Sequence, residues 1–223
     1  MKIKTISILV GILFLALAGN ANAISIRAGI GQFVPEDSTI KDSYANAYMA
    51  DVRFYLSEPL FISGGALLYN VHSTELELST PSPNGGEVTV GSFKHRVDAF
   101  GAYGGIGIGK LIGGGAKSGL YPYACVAVGF ISPVVSQRIE YTTEGEPTIA
   151  AADLQANRQW ALMVTPHAGL EVRFLGFGAF AQVNYLWGNP VTYDPVEVEG
   201  VEIFEGGELT PSGWVIFVGV MIE

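Results

Sequence analysis

Six charged residues stand singly inside otherwise apolar, alternating segments: Arg27, Asp51, Arg53, Asp98, Glu171 and Arg173. If these segments enclose a small interior, the six point inward, and desolvated charges there must pair. The pairs then form either a polar plug that fixes register or a gate whose partners exchange to open a narrow ion path. A second charged group sits near the end of the chain. Residues 189–212 carry Asp194, Glu197, Glu199, Glu202, Glu205 and Glu208 and no lysine or arginine. Val196-Glu197-Val198-Glu199 and Glu202-Ile203 alternate, which predicts an acidic hairpin rather than a shapeless loop. Its chemistry is that of a solvated loop, a cation-collecting vestibule or a divalent-bridged contact with an anionic surface. Calcium needs several converging oxygens, and no EF-hand spacing is present.

Enzymatic constellations are weaker. Gly104 to Lys110 has the spacing of a phosphate-binding loop, but Leu111 stands where a magnesium-binding Ser or Thr belongs. His72 with Ser73, or His167 with Glu171, supplies two parts of a hydrolytic triad. With three histidines and no G-x-S-x-G elbow, no triad can be assembled. The reading is of no enzyme, no cofactor and no metal centre. Cys125 reads as a small filler within a strand.

The elements that position these residues are short and strand-like, near 24–34, 47–57, 60–72, 93–109, 119–131, 160–174, 177–187 and 213–222. Connections after the second, fourth and sixth are short: Glu58-Pro59, Lys110 to Ser118, and Leu175-Gly176. Those at 35–46, 73–92, 132–159 and 188–212 are long. Short turns at one end and long loops at the other are the asymmetry of a transmembrane barrel. Within segments the period is two. Phe177, Ala179, Ala181, Val183, Tyr185 and Trp187 share one face, with Phe180, Gln182 and Asn184 on the other. Val52, Phe54 and Leu56 alternate with Asp51, Arg53 and Tyr55. Leu162, Val164, Ala168, Leu170, Val172 and Phe174 alternate with Thr165, His167, Glu171 and Arg173. Trp214, Ile216, Val218, Val220 and Ile222 form one face of the last segment. The uncharged stretches 118–136 and 174–193 are long enough for helices, but prolines, glycines and this alternation make them strands. Tyr55, Tyr69, Tyr121, Tyr123, Tyr185, Trp187 and Trp214 are expected to form aromatic girdles at the membrane boundary.

The beginning of the chain sets its route. Lys2 and Lys4 precede an apolar stretch from Ile6 to Leu17, and Ala21-Asn22-Ala23 follows as a small-x-small cleavage pattern. Residues 1–23 therefore read as a cleaved secretory signal peptide, and 24–223 as the mature domain. Loss of Lys2 and Lys4 takes the net charge from −9 to −11. No Lys/Arg cluster remains, which argues against nucleic-acid binding. A single cysteine excludes an intrachain disulfide.

Two passages tie this pattern to a family. Leu120-Tyr121-Pro122-Tyr123-Ala124 followed by Val126-Ala127-Val128-Gly129-Phe130 resembles a strand opening after a periplasmic turn. Ala168-Gly169-Leu170-Glu171-Val172-Arg173-Phe174 resembles a glycine-containing strand that ends in an aromatic before the next turn. Both are similar to the small eight-stranded outer-membrane barrels, the class of OmpA-like transmembrane domains and OmpW-like proteins, over the whole of 24–223. The closing Met221-Ile222-Glu223 departs from that family's aromatic ending. The resemblance implies an all-β, eight-stranded antiparallel up-and-down transmembrane barrel in the outer membrane, with short periplasmic turns and long extracellular loops. It further implies a monomer in contact with outer-membrane lipid and lipopolysaccharide, with an extracellular ligand not specified. Its role would be structural or surface-interacting, or else that of a narrow channel for ions or small apolar molecules. A lipid-modifying enzyme is the third possibility.

Overall fold

A computed structural model describes residues 23–36, 45–72, 76–81, 87–114, 118–141, 154–155, 160–193, 196–198, 201–204 and 207–223. The segment read as a signal peptide lies outside the described residues up to residue 22. Eight long strands follow: β1 (Ala23–Pro35), β2 (Ala45–Ser57), β3 (Leu60–His72), β4 (Glu87–Gly109), β5 (Ser118–Tyr141), β6 (Ala161–Phe174), β7 (Phe177–Gly188) and β8 (Gly213–Ile222). Each pairs antiparallel with its neighbours in sequence, and β1 pairs with β8 from Ile26–Ile222 to Pro35–Gly213. The sheet is thereby closed, leaving no free edge among the long strands. Closure is what a hydrocarbon environment demands, since lipid offers no partner to an open backbone edge.

The alternation expected from the sequence sets the two faces. Ile26 is 61% exposed while the adjacent Arg27 is 0% exposed. The same inversion runs through β6, where Val172 and Leu170 face outward and Glu171 is buried. An outward belt of Ile, Val, Leu and Phe around a buried charged interior is the reverse of a soluble domain. It suits a membrane-spanning barrel.

Three short connections close one end. Leu175 and Gly176 form a two-residue hairpin with φ of 49° and 90°. Positive φ at both positions gives the twist that a tight antiparallel hairpin needs; glycine meets this freely and leucine does so only rarely. At the opposite end the sheet continues past the membrane. A strand of about 10 residues crosses when tilted, whereas β4 and β5 have 23 and 24 residues and pair from Gly109–Tyr123 to Gly91–Tyr141. Parts of the segments expected to be loops, 87–92 and 132–141, are therefore strand, and Leu76–Pro81 pairs onto the far end of β4. The acidic segment is a hairpin as expected: Val191–Tyr193 pairs with Gly207–Leu209, and Val196–Val198 with Val201–Phe204.

One ladder is interrupted. β6 and β7 keep the same register from Met163–Gly188 to Phe174–Phe177, yet the pairing skips Thr165 and Pro166. Proline has no N–H to donate, so a gap at this place follows from its chemistry.

Candidate functional site in the barrel lumen

An eight-stranded barrel leaves an interior that side chains just fill. Here the filling is divided along the axis. Toward the short turns, β1 supplies Arg27, β2 supplies Asp51 and Arg53, and β6 supplies Glu171 and Arg173. The first four are at most 2% exposed. Arg27 and Asp51 are direct register partners. Their ion pair is bidentate, with Nε donating to Oδ1 at 2.7 Å and Nη2 donating to Oδ2. This fork geometry gives a desolvated guanidinium and carboxylate two parallel charge-assisted bonds.

Glu171 reaches across the lumen and serves three arginines. Its Oε1 accepts from Arg53 Nη1 at 2.7 Å and from Arg27 Nη1 at 3.4 Å. Its Oε2 accepts from Arg173 Nε at 2.9 Å and Nη2 at 2.6 Å. Arg173 also donates to Tyr55 Oη at 2.7 Å and pairs with Glu223 Oε1 at 2.7 Å. Aromatic faces cover the cations: Arg53 lies 3.7 Å from the Tyr123 ring centroid, and Arg173 lies 3.8 Å from that of Tyr121. Such contacts strengthen when water is excluded.

Tyr123 is the hub. Its hydroxyl accepts from Arg27 Nη1 at 2.8 Å and donates to Gln182 Oε1 at 2.6 Å. Gln182 Nε2 then donates to Asn184 Oδ1 at 2.6 Å, extending the polar chain toward the middle of the barrel. Glycine makes room for these rings. A Cβ on Gly169 would lie 2.5 Å from the Tyr123 hydroxyl, and one on Gly107 would lie 2.2 Å from Cζ of Phe61.

Above this cluster the lumen turns apolar. Phe33, Leu67, Tyr69, Val71, Ile131, Met163, Leu186, Val215 and Phe217 are each at most 2% exposed and form one packed cluster. Phe33 stacks on Tyr69 with centroids 4.4 Å apart. Leu209 of the acidic hairpin belongs to the same cluster and covers its outer end.

Five of the six charges expected inside are there. Asp98 is not. Its neighbours Val97 and Ala99 are the buried ones, so Asp98 falls on the outer face, where Asn70 Nδ2 donates to it near the extracellular end of β3. Near the boundary a charge on the outer face costs little. The aromatic girdle is also corrected. Tyr55, Tyr69, Tyr121 and Tyr123 share parity with the inward residues of their strands and pack in the lumen. Tyr185, Trp187 and Trp214 face outward, and Tyr185 meets Trp214 edge-to-face with centroids 4.9 Å apart. The tyrosine hydroxyls, Gln182 and Glu223 are the network members that charge counting missed. Strand parity already placed Tyr55 with Arg53.

Of the acidic residues, Glu197 and Glu202 are register partners in the hairpin and Glu208 is exposed. Asp194, Glu199 and Glu205 lie outside the described residues. The His167–Glu171 pairing is not assembled among the described residues. Glu171 is occupied by arginines, while His167 Nδ1 lies 3.3 Å from the Thr165 carbonyl. Ser73, and the side chain of His72, lie outside what is described. Gly104–Gly109 lies within strand β4 and is paired into the sheet there, not shaped as a loop.

A closed antiparallel sheet of eight strands, with charged side chains within and apolar side chains without, decides the architecture. This is the fold of the small eight-stranded outer-membrane barrels. Solved structures with a similar arrangement include the outer membrane protein OprG of Pseudomonas aeruginosa, 11% identical, with 89% of this chain and 94% of that chain covered at a TM-score of 0.49. The attachment invasion locus protein Ail of Yersinia pestis, solved with the heparin analogue sucrose octasulfate, is 12% identical, with 89% and 97% covered at a TM-score of 0.45. The N-terminal barrel domain of Pseudomonas aeruginosa OprF is 16% identical, with 91% and 98% covered at a TM-score of 0.37. No family model matches the chain, and no curated protein does.

Proposed function

We propose that this barrel is a monomeric structural and surface-interaction protein of a bacterial outer membrane, with a lumen closed to ions. The observation that carries the reading is the apolar cluster around Phe33, Leu67, Met163 and Phe217, stacked above the ion-paired tier. An ion crossing the barrel would have to shed its water against hydrocarbon, and a bare charge in such surroundings costs many kcal/mol. The charges beneath act as a plug that sets register. Interaction with the outside then falls to the projecting β4–β5 hairpin and to the acidic hairpin, whose carboxylates suit a divalent-bridged contact with lipopolysaccharide or an extracellular ligand. The test is conductance of the refolded mature chain in a planar bilayer, with folding checked by slower gel migration after boiling. A silent membrane supports the closed barrel. Discrete cation-selective steps that change in Arg53→Ala/Arg173→Ala contradict it.

A lateral route for small apolar molecules is the second reading, favoured by one place on the wall. Over the interrupted β6–β7 ladder lies an apolar outer groove of about 680 Å³ that includes Ile106, Val126, Pro166, Tyr185 and Trp214. Uptake of a small apolar dye into proteoliposomes, lost in Pro166→Ala, would support it; uptake no faster than in empty liposomes would remove it.

A further inference from the structure

The two inner arginines of the β1–β2 wall are used unequally. Arg27 turns its Nε–Nη2 edge to Asp51, the edge that presents two parallel donors to one acceptor. Arg53 is equally buried and donates from Nη1 to Glu171. Its own Nε and Nη2 have no hydrogen-bond partner among the described residues. Tyr123 at 3.7 Å and Phe61 at 4.5 Å pack against this guanidinium without supplying an acceptor to that edge. Ser25 is the register partner of Arg53 on β1, is 0% exposed, and its hydroxyl is also without a partner.

The nearby acceptors are already committed. Three guanidiniums (Arg27, Arg53 and Arg173) share three carboxylates (Asp51, Glu171 and Glu223), and all three carboxylates are engaged. Asp51 is held by Arg27 and receives the Tyr103 hydroxyl at 3.3 Å, while Glu171 is divided among all three arginines. Glu223 compensates only at the mouth, through Arg173. Unpaired donors on a buried cation are costly, and an anion repays that cost better than a neutral group does.

We propose that the Arg53 edge and the Ser25 hydroxyl form a binding site for one small monovalent anion, a halide or a short carboxylate such as formate, at the periplasmic floor of the lumen. The ion enters beside Arg173 and Glu223, whose side chains are 10% and 16% exposed, and stops beneath the apolar tier. A bulky anion does not suit the site, because only three donors meet the ion and they do so between packed rings. The site does not depend on whether the lumen conducts.

The test uses the refolded chain in detergent micelles, melted at fixed ionic strength with sodium chloride, bromide or formate replacing sodium gluconate. Ligand that binds only the folded state raises the melting midpoint along a saturable curve. The wild type is expected to show that curve. Ser25→Ala should need about tenfold more anion, and Arg53→Met should not respond. Comparing halides with formate tells which of the two the site prefers. Crystals grown in sodium bromide should show an anomalous peak in contact with Arg53 Nε and Nη2 and with Ser25 Oγ. A midpoint indifferent to the anion would overturn the proposal. So would equal dependence in Ser25→Ala, or an ordered water without anomalous signal at that edge. Should Arg53→Met not fold, the serine variant and the bromide crystal decide.

Discussion

The two halves of the lumen are filled by opposite chemistries. The half beside the short turns holds five charged side chains roofed by tyrosines; the half beside the long connections holds Phe33, Leu67, Ile131, Met163, Leu186 and Phe217 with no charge among them. Both exclude water, but by different means. Ion pairs are directional: Arg27 must meet Asp51 and Glu171 must meet three arginines, so the polar half specifies which strand faces which. The apolar half is tolerant of small shifts and contributes burial and a barrier to ions. On the proposed function, register and sealing are separate tasks assigned to separate levels of one barrel.

The comparison predicts unequal responses to substitution. The largest belongs to the polar half. Glu171→Ala strands Arg27, Arg53 and Arg173 around a missing acceptor and should cost about 3–5 kcal/mol, read from urea unfolding in micelles. Leu67→Ala in the apolar half should cost about 2–5 kcal/mol through the cavity it leaves, with the effect measured the same way. If it exceeds the Glu171 loss, the assignment of register to the charges is wrong. Gly169→Val pushes methyl groups into the Tyr123 hydroxyl and should cost about 1–3 kcal/mol by overpacking. A midpoint equal to wild type would mean Tyr123 has room to move and is no hub. The smallest effect is outside both halves. Tyr185→Phe removes an exposed hydrogen bond of 2.7 Å to Glu36 and should change stability by less than about 1 kcal/mol.

The strand plan was legible because period-two alternation and turn chemistry agree over most of the chain. β2, β6, β7 and β8 fall where hydrophobic parity puts them, and Leu175-Gly176 announces its hairpin. Legibility failed where glycine dilutes that signal. In β4, Gly101, Gly104, Gly105, Gly107 and Gly109 occupy both parities, so nothing local told Asp98 which side to take. Tyrosines misled for another reason: their rings suit a membrane interface and a packed lumen equally well, and only parity with Arg53 or Cys125 separates the two. The outer extensions of β4 and β5 were hidden because strands beyond the membrane need no apolar face. The network itself was legible as a set of charges but not as a geometry. Which arginine takes which carboxylate depends on the shear of the barrel, which no single strand carries.

On the proposed function the apolar tier, and not the ion pairs, closes the lumen. The direct test is single-channel recording on three refolded proteins: wild type, Arg53→Ala/Arg173→Ala, and Leu67→Ala/Met163→Ala/Phe217→Ala. A lumen sealed by the apolar tier gives silence from the first two and discrete openings from the third. Openings in the arginine variant with silence from the apolar one would contradict it and make the charges the gate.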